Sequence, residues 1–269
     1  MIGQGNQSGR VWVVAAVGLL GALAAALLPP LAQPQEYHRF IDQRSWLGIP
    51  HFMDVVSNLG FLLAGLAGMA FVLRKRPGPG KGQFDPPTDA APYAVFFMAI
   101  ALTGAGSACY HWAPTDTTLV WDRAPLTVAF AAILAATVGE RIGARAGMAL
   151  LPVVAAAGLL SVWHWQRTGN LWPYAAAQYW PLALIGLMMA LFESRYTRSG
   201  EIGVVIGWYG LAKIAEILDA PILAATGLFS GHTLKHLLAT AAILWLLRML
   251  ARRRPRQSAN IPSPVAADR

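Results

Sequence analysis

Five side chains in this sequence have the types and spacing of a hydrolytic metal centre. His232 and His236 are four residues apart, and so are Ser107 and His111. A helix sets such pairs on one face, about 40° out of line. Catalytic zinc takes three protein ligands and keeps a position open for water, and neutral imidazole is a favoured ligand. His232 and His236 form a chelate half, and His111 is the third ligand. Zinc acidifies its water and polarises a carbonyl. Asp122 has the place of a general base, and Ser107 that of a hydrogen-bond donor to the water or to a developing oxyanion. Each has a plainer reading. The His residues could be interfacial or bonded to neighbouring helices. Ser107 could be a small residue at a helix contact, which Gly104 and Gly106 beside it encourage. There is no G-x-S-x-G elbow, so nothing supports a serine-hydrolase triad.

Membrane helices must position these groups. Of 269 residues, 56% are hydrophobic and 13% charged, about half the charged share of a soluble domain. The formal net charge of +8 belongs to topology and does not point to nucleic acid. The single Cys109 excludes an intrachain disulfide and a Cys-rich metal site; two residues from His111, it reads as packing on another face. Apolar runs of near-spanning length fall at 11–31, 52–73, 91–111, 121–139, 146–164, 173–192, 202–220 and 231–250. The expectation is an all-α polytopic membrane helix bundle: residues 1–50 as an N-terminal helix and outer loop, 51–251 as a seven-helix core, and 252–269 as a basic, disordered tail. The first run also resembles a signal peptide, with Arg10, an apolar stretch and Pro29-Pro30. It is long for one and no A-x-A site follows, so a retained helix is expected. The Pro- and Gly-rich segment 77–90 reads as a flexible loop.

Basic residues alternate between connections. One set holds Arg74, Lys75, Arg76 and Lys81, then Arg141 and Arg145, then Arg195 and Arg198; the tail adds Arg248, Arg252, Arg253, Arg254 and Arg256. The intervening connections are poorer, with Arg39, Arg44 and Arg167. The positive-inside rule places both termini in the cytoplasm. The run 252–254 reads as a stop signal or as a binder of anionic lipid. On this map Ser107, His111, Asp122, His232 and His236 share the outer level with Asp54, Ser57 and Asn58, and with Lys213, Glu216 and Asp219. Intramembrane charge is expensive and is placed towards a cavity or the bundle interior, so the coincidence marks a site. Asp54, Ser57 and Asn58 share a helix face. With Lys213, Glu216 and Asp219 they have two readings: partners that orient the His ligands, or a structural network in which Lys213 neutralises Glu216. In the first outer connection, Glu36, His38 and Asp42 cap the site, bind a cation, or form a plain solvated loop.

The motifs resemble those of the alkaline ceramidase family, within a superfamily of seven-helix membrane hydrolases that includes adiponectin-receptor-like and glycosylphosphatidylinositol-remodelling proteins. Ser57-Asn58 is similar to the family's Ser-Asn. Residues 106–111 are similar to its Gly-Ser-x-x-Phe-His, with Tyr110 in place of Phe. Residues 122–125 are similar to its Asp-Glu-x-Pro, with Arg123 in place of Glu, and 232–236 match its His-x-x-x-His. The likeness runs from 52 to 250, and Tyr37 through Asn58 looks like bacterial members. It implies zinc on His111, His232 and His236, water handled by Ser107 and Asp122, and an added helix before the core. The acidic calcium motif of eukaryotic members is absent, and His51 stands where an acidic ligand is expected, so calcium is not carried over.

The function expected is a zinc-dependent lipid amidase of the bacterial inner membrane, drawing a ceramide-like substrate laterally from the outer leaflet. Many bacteria lack sphingolipid, so another acyl amide or an ester is equally admitted. The competing class is non-enzymatic: a receptor or a proton or ion pathway, with a retinal pigment on Lys213 or a haem on axial His as variants. Neither a relay nor a pigment needs tightly bound zinc.

Overall fold

The computed structural model describes residues 4–74 and 82–256. Lys75, Arg76, Lys81 and the tail from 257 onwards lie outside the described residues. Among the described residues the chain is all helix and loop, with isolated bridges and no strand. Its long helices are α1 (Gln4–Leu27), α3 (Leu59–Arg74), α4 (Ala90–Trp112), α5 (Asp116–Arg141), α6 (Ala144–Thr168), α7 (Trp172–Leu191), α8 (Ile202–Ile217) and α10 (Gly231–Arg252); α2 (Phe52–Val56) and α9 (Asp219–Thr226) are short. Among the described residues, seven helical segments are long and apolar enough to cross a membrane, with α2 and α3 counted as one. Outward-facing Leu63, Val153, Leu160 and Leu244 are exposed, as the lipid-facing side of such a bundle requires.

Two of the expected spans are interrupted, each for a local reason. In 52–73 the chain breaks at Ser57 and Asn58. Ser57 Oγ and Asn58 Nδ2 both donate to the Asp54 carbonyl, at 3.1 and 2.7 Å. They take the acceptor that a continuous helix would give to a backbone N–H. The run 202–220 ends its helix at Ile217. Pro221 sits in the first turn of α9, where its ring would clash with the Ile217 carbonyl of an unbroken helix. The sixteen residues of α8 rise ~24 Å, and α8 packs along α10 over that distance. Gly231 meets Ala215 at one end, and Arg248 pairs with Glu201 at 3.6 Å at the other. The run 202–220 therefore crosses between the same two levels as α10.

α1 lies antiparallel to α7. Trp180 Nε1 donates to the Val17 carbonyl at 3.1 Å, and Arg10 Nη1 to the Leu191 carbonyl at 2.9 Å. Cys109 is exposed on α4, not packed as its sequence neighbourhood suggested. The reason is that α4 buries the face carrying Ser107, Tyr110 and His111, and Cys109 falls between those positions.

Both described chain ends lie at one end of the bundle, opposite the His residues. There the arginine run has an unexpected role. Arg252 and Arg254 are exposed, but Arg253 is 1% exposed. Its guanidinium stacks over Phe84, Tyr93 and Tyr196, at 4.9, 5.0 and 4.0 Å from the ring centroids, and it pairs with buried Glu140. The segment 82–89, expected to be flexible, is held by the same cluster: Phe84 is buried, and Tyr196 Oη donates to Asp89 at 2.7 Å. Removing one partner of a buried pair strands a charge. Glu140→Ala is therefore expected to destabilise the protein by about 3–5 kcal/mol, and Glu140→Leu with Arg253→Met to recover most of that loss. Thermal melts in detergent check this; a single variant as stable as the parent would count against the pairing.

Candidate metal centre

The site forms where α2, α4, α5 and α10 meet. Glycines allow these helices to approach. A Cβ on Gly106 would lie 2.0 Å from the Trp121 carbonyl oxygen, and one on Gly104 2.6 Å from the Leu62 nitrogen. The bare backbone lets α4 fit between α3 and α5, and so brings Ser107 against Asp122. The Ser107 hydroxyl and the Asp122 carboxylate lie side by side there. Asp122 is also deeper than its apolar run suggested. Thr115 and Thr118 form a reciprocal cap that starts α5 at Asp116, which leaves Asp122 nearly two turns inside the helix.

The first turn of α10 is built with equal care. Ser230 caps it by accepting from the Thr233 N–H at 3.0 Å. Ser230 Oγ and Thr233 Oγ1 both donate to Asp54 Oδ1, at 3.1 and 2.6 Å. The His232 N–H donates to Asp219 Oδ1 at 2.8 Å. Two carboxylates thus satisfy the donors and complement the positive end of the helix. Gly231 is needed because a Cβ there would lie 2.1 Å from the Ala215 carbonyl oxygen.

His111, His232 and His236 converge here. Each offers a ring nitrogen within 4.8 Å of the others, and all three are buried. His111 Nε2 and His232 Nε2 are 3.2 Å apart. Two imidazoles on one tetrahedral zinc, at ~2.05 Å each, would set their nitrogens ~3.3 Å apart. The donor set therefore fits a metal. The surrounding bonds also fix the rings. His236 Nδ1 lies 2.8 Å from Ser57 Oγ. That hydroxyl donates to the Asp54 carbonyl, so it accepts from Nδ1–H and leaves Nε2 with its lone pair. Such a partner is what a metal-bound imidazole requires. His111 Nδ1 is buried without a hydrogen-bond partner.

The remaining residues divide. Asp54, Ser57, Asn58 and Asp219 brace the ligand-bearing backbone and rings. Glu216 joins Lys213 and Lys235, so the expected ion-pair network exists. It also reaches the His cluster: Lys235 Nζ donates to Glu216 Oε1 at 2.9 Å and to His232 Nε2 at 2.8 Å, a lone pair that a metal ion would take in its place. Spacing hints at Lys235, three residues after His232 on one helix face. The outer connection caps the site. Phe40 is buried, with its ring 4.5 Å from His111 and 5.5 Å from His232. His38 bridges Tyr110 Oη and Asp116, at 3.0 and 3.1 Å. Arg44 bonds Asp42 and the Gly227 and Leu228 carbonyls, and its hydrogen bonds hold the Asp42 carboxyl below the usual range. His51 donates to the His111 carbonyl at 2.9 Å.

A cavity of ≈ 420 Å³ opens beside His236. Its polar end carries Tyr37, Ser107, Asp122, Arg123, Lys235 and His236; its depth is lined by Phe96, Ile133, Ile185, Ile202 and Leu246. His236 and Leu246, ten residues apart on α10, both line it, as do Ile202 and Glu216, fourteen apart on α8, which makes it ~15–21 Å deep. That is half to two-thirds of the ~30 Å hydrocarbon core, at least the depth of one leaflet. α7 and α8 are held across it by Gln178 Nε2 donating to Tyr209 Oη at 2.7 Å. No model of a known protein family matches the chain, and a search of curated proteins finds no match.

Proposed function

We propose that this chain is a membrane-embedded, metal-dependent hydrolase that cleaves the amide of an acyl lipid. The observation that carries the reading is that His236, Ser107 and Asp122 all border the head of an apolar cavity at least one leaflet deep. The ceramidase-like motifs fall on these same residues, which supports an N-acyl bond as the target. His111, His232 and His236 would hold zinc, which supplies Lewis-acid activation of water and of the scissile carbonyl. Asp122 accepts a proton from the attacking water and returns it to the departing amine. Ser107, beside the Asp122 carboxylate, would orient it by donating a hydrogen bond, or donate to a developing oxyanion at the cavity head. The apolar depth takes the acyl chain, and Phe40 shields the imidazoles from bulk water.

The basic end of the bundle fits the cytoplasmic face of a bacterial inner membrane, with both termini there and the site towards the periplasm. Exposed Trp46, Trp112 and Trp121 at the site end fit an interfacial belt. A second reading rests on one observation, the bonded series Lys213, Glu216, Lys235, His232 and His111. That series could pass protons without any metal. Fatty-acid release from an N-acyl sphingoid base, before and after chelation and zinc return, separates the two. Metal-dependent, zinc-restorable release is expected. Hydrolysis that survives complete metal removal would refute the mechanism, and no release across a panel of acyl amides and esters would favour the proton path.

A further inference from the structure

Two arginines are buried in aromatic cages, one at each end of the bundle. Arg253, far from the site, has its counter-charge inside the fold, in Glu140. Arg123, at the cavity head, is 4% exposed. Its guanidinium lies 4.2, 4.4 and 5.6 Å from the ring centroids of Trp165, Tyr174 and Tyr37. Nη2 donates to Gln33 Oε1 at 2.6 Å, while Nη1 makes no hydrogen bond. Among the described residues no carboxylate forms an ion pair with it. The neighbouring acid, Asp122, makes no ion pair with it and lies beside Ser107. A permanently charged guanidinium buried without an anion is costly, and in a membrane such groups are paired or face a cavity. The charges lining the cavity agree: Arg123, Lys213 and Lys235 against Asp122 and Glu216, an excess of one cation before any metal is counted.

We infer that the cavity takes an acyl lipid whose polar end carries an oxyanion, a carboxylate or a phosphate, seated on Arg123. The inference rests on the hydrolase reading for the amide and adds the headgroup. The acyl chain occupies the apolar depth, the amide lies by His236, Ser107 and Asp122, and the anion completes the cage that Gln33 and three aromatic rings leave open. A planar fork suits either oxyanion. Ceramide, which is neutral, would leave Arg123 unpaired.

The test compares three amides with one acyl chain: N-hexadecanoylglycine, N-hexadecanoylethanolamine and the phosphate ester of the latter. Wild type is expected to favour the carboxylate or the phosphate over the neutral amide by ~10- to 100-fold in kcat/KM, the scale of one hydrogen bond to a charged group. The preference should collapse in Arg123→Met, chiefly through KM, and return in part in Arg123→Lys. Each ratio is taken within one preparation, so partial misfolding cancels, and the wild-type ratio stands even where a variant fails to fold. Equal rates on neutral and anionic amides in wild type, or a preference that survives Arg123→Met, overturn the headgroup assignment and leave amide hydrolysis intact. If no amide is cleaved, the hydrolase reading fails by itself. Thermal stabilisation by the same lipids then decides: stronger stabilisation by the anionic lipids, lost in Arg123→Met, upholds the inference, and equal stabilisation by neutral and anionic lipids overturns it.

Discussion

Alanine at His111, His232 or His236 is expected to take bound metal from about one per chain to near zero, and hydrolysis with it. The three rings come from two helices, so each substitution leaves two nitrogens to hold the ion. Losing only a group that orients a ligand costs ~10–100-fold in metal affinity. Losing a ligand should cost more than ~10²-fold, while Ser57→Ala, which frees His236 Nδ1, should fall within that milder range. The bundle should persist, because α10 keeps its Ser230 cap and its Asp54 and Asp219 braces. Elemental analysis of purified variants reads metal content. Melting with and without added zinc reads coupling to the fold, since a ligand that binds only the native state raises its stability. Variants that retain full zinc occupancy would remove the His cluster from the metal site.

The membrane helices were legible because apolar length is a one-dimensional signal. The two interruptions were not, although their causes stand in the sequence. Ser57 and Asn58 read as part of a helix face, yet their side chains compete for the Asp54 carbonyl and end the helix. Only the folded chain shows that this break lets Ser57 reach His236. Pro221 is a visible breaker, but apolar residues continue on both sides and hide it in a hydropathy pattern.

The site shows the same division. The His cluster is legible because i, i+4 spacing on helix ends fixes the facing of its members, and alternating topology sets their depth. Phe40, against the imidazoles, and Tyr37, against the Arg123 guanidinium, come from an aperiodic connection, so no spacing rule could place them. Arg253 sits between two exposed arginines, and composition cannot tell a buried cation from its solvated neighbours. What separates them is Glu140, 113 residues away. Arg123 was visible as a departure from the family's Glu, but its lack of an internal anion is a property of three dimensions.

Asp122→Asn is expected to keep its metal and lose ~10²–10⁴-fold in turnover, the usual contribution of a general base. Asparagine matches aspartate in shape and can still bond Ser107, so the contact between α4 and α5 survives; only proton acceptance is removed. Ser107→Ala deletes one hydroxyl that orients Asp122 and can bond the oxyanion, a loss on the scale of ~10²-fold. If Ser107 acts only through Asp122, the double variant should be no slower than Asp122→Asn alone; independent action would make the two losses multiply. A structural role predicts the opposite pattern, with lower folded yield and melting temperature but normal turnover in the protein that survives. Metal content, melting temperature and kcat must therefore be measured on the same preparations. Normal kcat in well-folded, zinc-loaded Asp122→Asn would exclude this carboxylate as the base. It would move the search to Glu216, the other carboxylate lining the cavity, whose bonds to Lys213 and Lys235 would first have to open.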